Sequence, residues 1–399
     1  MKPLHVLVPV VCLVLGAPVP ASARQGSEAT PQARFHFGPL SLTPKLAIQN
    51  LGVDTNVFNS PETPVRDTTA TMTPGLDAWL RVGRVLFSSK TATDVIYYQK
   101  AASQRTFNLV QDGRMDVDLL FARPRVVGVY LRTRQRPNDE IDERVQQKHV
   151  SGGAGVTVPI GARLRIDADA RRTRYDFSQG AYGDATIAQA LNRDSDEIGM
   201  TGRMELSSLT SVAVKTEFIR DRFVFTPDRD SDSLRVMPGV VFQPSAFVSG
   251  SAFVGFRQLT TLNPAIPDFS GVVAAVELKY VALDMFRVIA QVKRDVDYSL
   301  DLGEPFFIST SAGAEVLQAI GLSWDIVARV RVGRLEYQAT QPGIAGRTDR
   351  LRIAGVGIGR RIGDDLRIGV DLDHVSRSSA VVSRAFDGLR FGGSLTYGY

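Results

Sequence analysis

Cysteine is nearly absent. The 399-residue chain has 1, Cys12, which falls inside an apolar N-terminal stretch. Lys2 precedes that stretch, which runs from Val6 to Gly16, and Ala21-Ser22-Ala23 follows as a small-residue cleavage pattern. Residues 1–23 therefore read as a secretory signal peptide cut after Ala23. The run is too short to span a bilayer, and Pro18 and Pro20 follow it. With its leader removed, the chain has no cysteine for disulfides and must draw its stability from a cooperative hydrogen-bonded architecture. Long hydrophobic runs are lacking too: past the leader no segment approaches about 18 uncharged apolar residues, which excludes transmembrane helices. Histidine is scarce. Of the 4, His5 lies in the leader, and His36, His149 and His374 are too scattered for metal-ligand spacing. No linker, composition shift or helical block divides the chain, so one domain of many similar hairpins fits best.

What is present is a rhythm. Alternating β-segments are joined by connections that are in turn short and long. The short ones include Val82-Gly83-Arg84, Ala122-Arg123-Pro124, Pro159-Ile160-Gly161, Ser207-Ser208-Leu209 and Ala319-Ile320-Gly321, most of them carrying turn formers. The long, polar ones lie near 59–69, 99–106, 137–145, 176–192, 226–232, 263–268, 298–304, 338–346 and 378–384. This predicts an all-β fold, a single transmembrane antiparallel up-and-down β-barrel of about 18 strands, in the range of about 14 to 18. Residues 24–39 form an N-terminal periplasmic segment and 40–399 the barrel, with both ends in the periplasm, the short turns inside and the long loops outside.

The strands carry two faces with different solvents. Leu164, Ile166, Ala168 and Ala170 alternate with Arg163, Arg165, Asp167, Asp169 and Arg171. Trp324, Ile326, Ala328, Val330 and Val332 alternate with Asp325, Arg329 and Arg331. Ile368, Val370 and Leu372 alternate with Arg367 and Asp371. Met200 and Met204 oppose Arg203, Val212 and Val214 oppose Lys215 and Glu217, and Val288, Ala290 and Val292 oppose Arg287 and Lys293. The charged members of these pairs are the candidate lumen-lining residues. Segment 347–361 has no clear register, and its faces stay unassigned. Aromatics near segment ends, Trp79, Tyr97, Tyr98, Phe121, Tyr175, Phe223, Phe225, Phe242, Phe247, Tyr280, Phe286, Tyr298, Trp324 and Tyr337, suit girdles at two membrane interfaces.

Two stretches carry a family likeness. Phe37-Gly38-Pro39-Leu40 leads to Asp54-Thr55-Asn56-Val57-Phe58 and then Thr73-Pro74-Gly75-Leu76. This resembles the outer-membrane β-barrel porins often encoded beside exopolysaccharide synthesis and export systems. Leu389, Phe391, Leu395, Tyr397 and Tyr399 are similar to the terminal signal strand of bacterial barrels. The resemblance implies the Gram-negative outer membrane, recognition by the barrel-assembly machinery through the strand ending at Tyr399, contact with outer-membrane lipids and lipopolysaccharide, and polysaccharide export components as further partners. It brings no catalytic residues.

Other chemistry finds less support. His149-Val150-Ser151 and His374-Val375-Ser376 each put His and Ser on one face of a strand. The pair is similar to that of outer-membrane lipid A deacylases, which are much smaller barrels. Gly355-Val356-Gly357-Ile358-Gly359 lacks the following helix that a phosphate cradle needs. The acidic run Asn138-Asp139-Glu140-Ile141-Asp142-Glu143 reads as a solvated loop, with capture of a divalent cation as the alternative. The 47 Lys and Arg, mostly Arg, only slightly exceed 42 Asp and Glu. Dispersed as they are, they argue against nucleic acid. Two readings of the charged face stay open: a lumen that attracts anions, or Arg and Asp neighbours that brace one another. The expectation is a non-enzymatic, porin-like passive channel for hydrophilic solutes, or a part in exopolysaccharide secretion, with no cofactor. The alternatives are a lipid hydrolase using a His-x-Ser pair and a structural barrel plugged by 176–192.

Overall fold

The computed structural model describes residues 33–398 except 183–184, 245, 284, 302, 339–345 and 364. The leader with Cys12 and the cleavage site, and the terminal Tyr399, lie outside the described residues.

Period-two alternation puts every second side chain on the same face, and here it runs through strand after strand. The strands are β1 (Leu40–Asp54), β2 (Asp67–Val82), β3 (Val85–Tyr98), β4 (Thr106–Val117), β5 (Arg123–Gln135), β6 (Val145–Ile160), β7 (Leu164–Phe177), β8 (Arg193–Glu205) and β9 (Thr210–Phe223). They continue as β10 (Ser231–Phe242), β11 (Val248–Thr261), β12 (Phe269–Ala282), β13 (Phe286–Tyr298), β14 (Phe306–Ile320), β15 (Trp324–Gln338), β16 (Thr348–Ile362), β17 (Leu366–Ser378) and β18 (Phe386–Tyr397). Each pairs antiparallel with the next. The ring closes where β1 meets β18, in the register Leu46↔Tyr397, Ile48↔Leu395 and Asp54↔Arg390. Among the described residues the fold is thus a closed antiparallel 18-strand barrel. The short strand Phe35–Phe37 adds a hairpin beside the start of β1. A bulge near Asn50, at φ 52°, bends β1 at the seam.

The short connections collect at one end, together with both ends of the described residues. Gly83, Gly161, Gly321 and Gly363 take φ of 58°, 64°, 59° and 63° there. Leu283 adopts the same left-handed geometry at φ 52° with no glycine to relieve it. The opposite end carries the long loops.

The two faces divide as an apolar outside and a polar inside. Ile326, Val330, Val356, Ile368, Val370, Leu372 and Phe391 are exposed on the outer wall, whereas Glu217, Arg257, Asp325 and Asp349 are buried within. The aromatics split between both faces. Tyr97, Tyr280 and Trp324 are exposed on the outer face, where a girdle would need them, but Trp79, Tyr98, Phe223, Tyr298 and Tyr337 are buried. Trp79, Tyr98, Phe223 and Tyr337 share the parity of the charged inner row, and Tyr298 sits at a hairpin tip bonded to inner-face Asp221. Position near a strand end does not by itself say which face an aromatic takes.

Candidate channel lumen

All the candidate lumen residues except Arg163 sit on the parity opposite the exposed apolar row. Arg163 stands exposed in the turn between β6 and β7. The expected alternation began one residue too early, because β7 starts only at Leu164.

The inner wall is a lattice of opposite charges rather than a bare field. On β13–β18, Asp325 is fully buried and accepts from Arg367 Nη2 at 2.7 Å and Nε at 3.0 Å, with Arg361 at 3.6 Å. Arg329 grips Asp373 through two bonds of 2.7 Å and reaches Asp371 at 3.3 Å. Arg287 faces Glu315 at 3.9 Å. On the other side, Arg125 lies 3.4 Å from Asp167 and 3.6 Å from Asp169. Arg203 is buried beside Arg165, its direct neighbour across the β7–β8 ladder, while Arg165 pairs with Glu205. Glu217 takes both Lys215 and Arg235, and Asp295 takes Arg235 at 2.7 Å and Arg257 at 2.8 Å. Arg171 and Lys293 lie half-buried on the same face. Bracing therefore accounts for most of these charges.

The register of segment 347–361, unreadable in sequence, is now plain: Gly355, Gly357 and Gly359 face inward on β16. A Cβ on Gly355 would sit 2.0 Å from Asp373 Oδ1, and one on Gly357 2.3 Å from Asp371 Oδ1. One on Gly359 would lie 2.4 Å from Arg367 Cζ. The glycine run is a trough in which the charged lattice lies flat against the wall.

The acidic run is not a solvated loop: Glu140 and Ile141 are buried. Among the described residues no group of His, Cys, Asp and Glu has metal-holding geometry. Residues 136–144 join β5 to β6 and reach inward to side chains on and around β15–β18, about half the ring away. Glu140 is 0% exposed. It accepts from Ser299 Oγ at 2.9 Å, the Leu300 N–H at 3.0 Å and Arg384 Nη1 at 3.1 Å, with Arg347 at 3.6 Å. Arg331 holds Asp139 at 2.9 Å, and Arg377 pairs with Asp142 and donates to the Asp139 carbonyl at 2.9 Å. From behind, Arg136 and Arg144 each donate to the Val57 carbonyl at 3.1 Å. Burial raises the Glu140 carboxyl above its ordinary value, and burial with Arg144 alongside brings Arg136 down to about 9.

The β13–β14 tip folds inward to meet this loop. Tyr298 bonds Asp221 at 2.8 Å and Ser231 at 2.7 Å on the inner faces of β9 and β10. Arg229 ties the tip to the neighbouring loop, donating to the carbonyls of Ala190, Ser299 and Pro305 at 2.6, 2.6 and 2.5 Å. Ile141, Ile187, Leu191, Phe223, Leu259, Tyr298, Leu300 and Phe306 fill the space between as one apolar cluster. The alternative plug, 176–192, contributes Phe177 and the short helix Ile187–Leu191 to it among the described residues. The acidic loop makes the crossing, which its polarity had disguised because its charges are matched by arginines far along the chain.

The His-x-Ser pairs end on opposite faces. His149 and Ser151 point inward, and Ser151 bonds Thr173 at 3.0 Å. His374 and Ser376 point outward. His374 Nε2 lies 2.6 Å from Asp387, and no hydrogen bond joins it to Ser376 among the described residues.

A closed antiparallel barrel with an apolar outer wall, a charged interior and one end of trimmed turns is an outer-membrane barrel of the porin class. The chain matches the family described as "Putative beta-barrel porin 2" over residues 35–397 and belongs to that family. No curated protein matches it. Among solved structures, outer membrane protein opdK from Pseudomonas aeruginosa is similar at 12% identity and a TM-score of 0.50, covering 90% of this chain and 98% of that one. A BenF-like porin from Pseudomonas fluorescens Pf-5 has 12% identity, a TM-score of 0.48 and coverage of 90% and 97%. OpdO from Pseudomonas aeruginosa has 12% identity, a TM-score of 0.47 and coverage of 89% and 96%. At such identity the likeness to opdK speaks for the fold alone.

Proposed function

We propose that this barrel is a passive outer-membrane channel for small hydrophilic solutes, narrowed toward the long-loop end by segment 136–144. The carrying observation is the fit of Glu140 and Asp142 into Arg347, Arg377 and Arg384. A loop held by buried ion pairs across a lumen leaves less bore than the ring alone would enclose. A polymer needs a continuous bore, so this arrangement favours small solutes over an exopolysaccharide chain. The test is single-channel recording of the purified protein in planar bilayers, where discrete ion-conducting steps support the reading and silence at all voltages opposes it.

The porin family and its charged, mutually paired interior favour a channel over a lipid hydrolase. Removal of 1–23, recognition of the terminal strand by the barrel-assembly machinery and placement of the long loops outside the cell belong to the same proposal.

A further inference from the structure

Above the apolar band, toward the long-loop end, the outer wall turns basic over β13–β16. On β15 the exposed row Ile326, Val330 and Val332 gives way to Arg334. Arg350 and Arg352 stand exposed on β16, and Arg294 lies on β13. Arg334 and Arg350 are direct partners across the ladder, and Arg352 is paired one step further with Val332. Like charges directly opposite in a sheet destabilise it unless something neutralises them. The carboxylate at hand, Glu336, is taken by Arg334 at 2.9 Å and Arg294 at 3.3 Å. Arg350 and Arg352 meet no carboxylate among the described residues. Positions 339–347 of the connecting loop contain no Asp or Glu in sequence, and Asp349 is buried on the inner face. Further along the rim, His374 and Asp387 engage each other at 2.6 Å. A second arginine pair shows the contrast: Arg172 and Arg174 on β7 are answered by Asp194 on β8, each at 2.9 Å.

We propose that Arg334, Arg350 and Arg352 form a site for the phosphates of lipopolysaccharide. Guanidinium groups bind phosphate by paired charge-assisted hydrogen bonds. Directly below, exposed Val330, Val332, Val356 and Leu372 offer a surface for the acyl chains of the same molecule. The site rests on the outward placement of the long loops, which puts this rim in the outer leaflet, and is independent of whether the lumen conducts.

The test titrates detergent-solubilised full-length protein with deep-rough lipopolysaccharide, intact or dephosphorylated, and reads binding by native mass spectrometry. Arg350→Gln with Arg352→Gln should weaken binding about tenfold or more, the scale of one or two charged hydrogen bonds. Dephosphorylated lipid should bind wild type as weakly as intact lipid binds the double variant. Arg172→Gln with Arg174→Gln should bind like wild type. Equal binding by the first variant, equal loss in the second, or indifference to phosphate overturns the site. Heat-modifiable gel migration confirms that each variant is folded. Bilayer recordings on the same samples separate this outcome from that of the channel reading, since neither arginine pair faces the lumen.

Discussion

Glu140 Oε1 and Arg384 Nη1 lie 3.1 Å apart although 244 residues separate them in the chain. Their bond fastens the loop between β5 and β6 to the far wall. Removing one partner of a buried ion pair leaves the other uncompensated, at a cost of about 3–5 kcal/mol. Glu140→Ala is therefore expected to free the loop and raise single-channel conductance several-fold. Recording wild type and variant under the same salt checks this.

The same carboxyl sets a pH dependence. Burial raises it more than the Leu300 N–H, Arg384 and Ser299 lower it, with Arg347 also close. In a released, hydrated loop it would return to its ordinary value of 4.5. The latched loop takes up the proton more readily, so its advantage is full below the ordinary value and is lost as pH rises through the raised one. Acidification should shorten open times and lower mean conductance, and Glu140→Gln should flatten that response in a pH series.

The Arg329–Asp373 and Arg331–Asp139 pairs fix a direction for selectivity. Neutralising Arg329 and Arg331 to Gln leaves Asp371, Asp373 and Asp139 less compensated at the inner wall. Reversal potentials under a KCl gradient should move toward cation preference. Unchanged potentials would mean that ions do not pass this sector.

Asp325 holds Arg367 and Arg361 near the short-turn end of the lumen. Asp325→Asn should cost about 3–5 kcal/mol by leaving both guanidinium groups without their anion. Urea unfolding in lipid vesicles, followed by gel migration, measures the loss.

The barrel was legible because Ile326, Ala328 and Val330 alternate with Asp325, Arg329 and Arg331 over many residues, and a period of two permits no other placement. In β16 the rule failed. Arg350 and Arg352 stand outside, Gly355 and Gly357 inside, and either row reads as wall or surface. Which of the sequence alternatives holds for the charged row, bracing or attraction, depended on neighbours such as Asp373 that only the register reveals. The loop was opaque for a different reason: Asp139, Glu140 and Asp142 look hydrated until Arg331, Arg347, Arg377 and Arg384 arrive from the last quarter of the chain. Local pattern carries strand faces; it does not carry pairings closed by the ring.

The most direct measurement compares single-channel conductance of the wild-type barrel with that of a variant in which 138–142 is replaced by a short Gly-Ser bridge. Discrete steps from wild type and larger, less pH-sensitive steps from the shortened loop are expected. Identical steps from both, or no conductance from two folded barrels, would contradict a lumen narrowed by this segment.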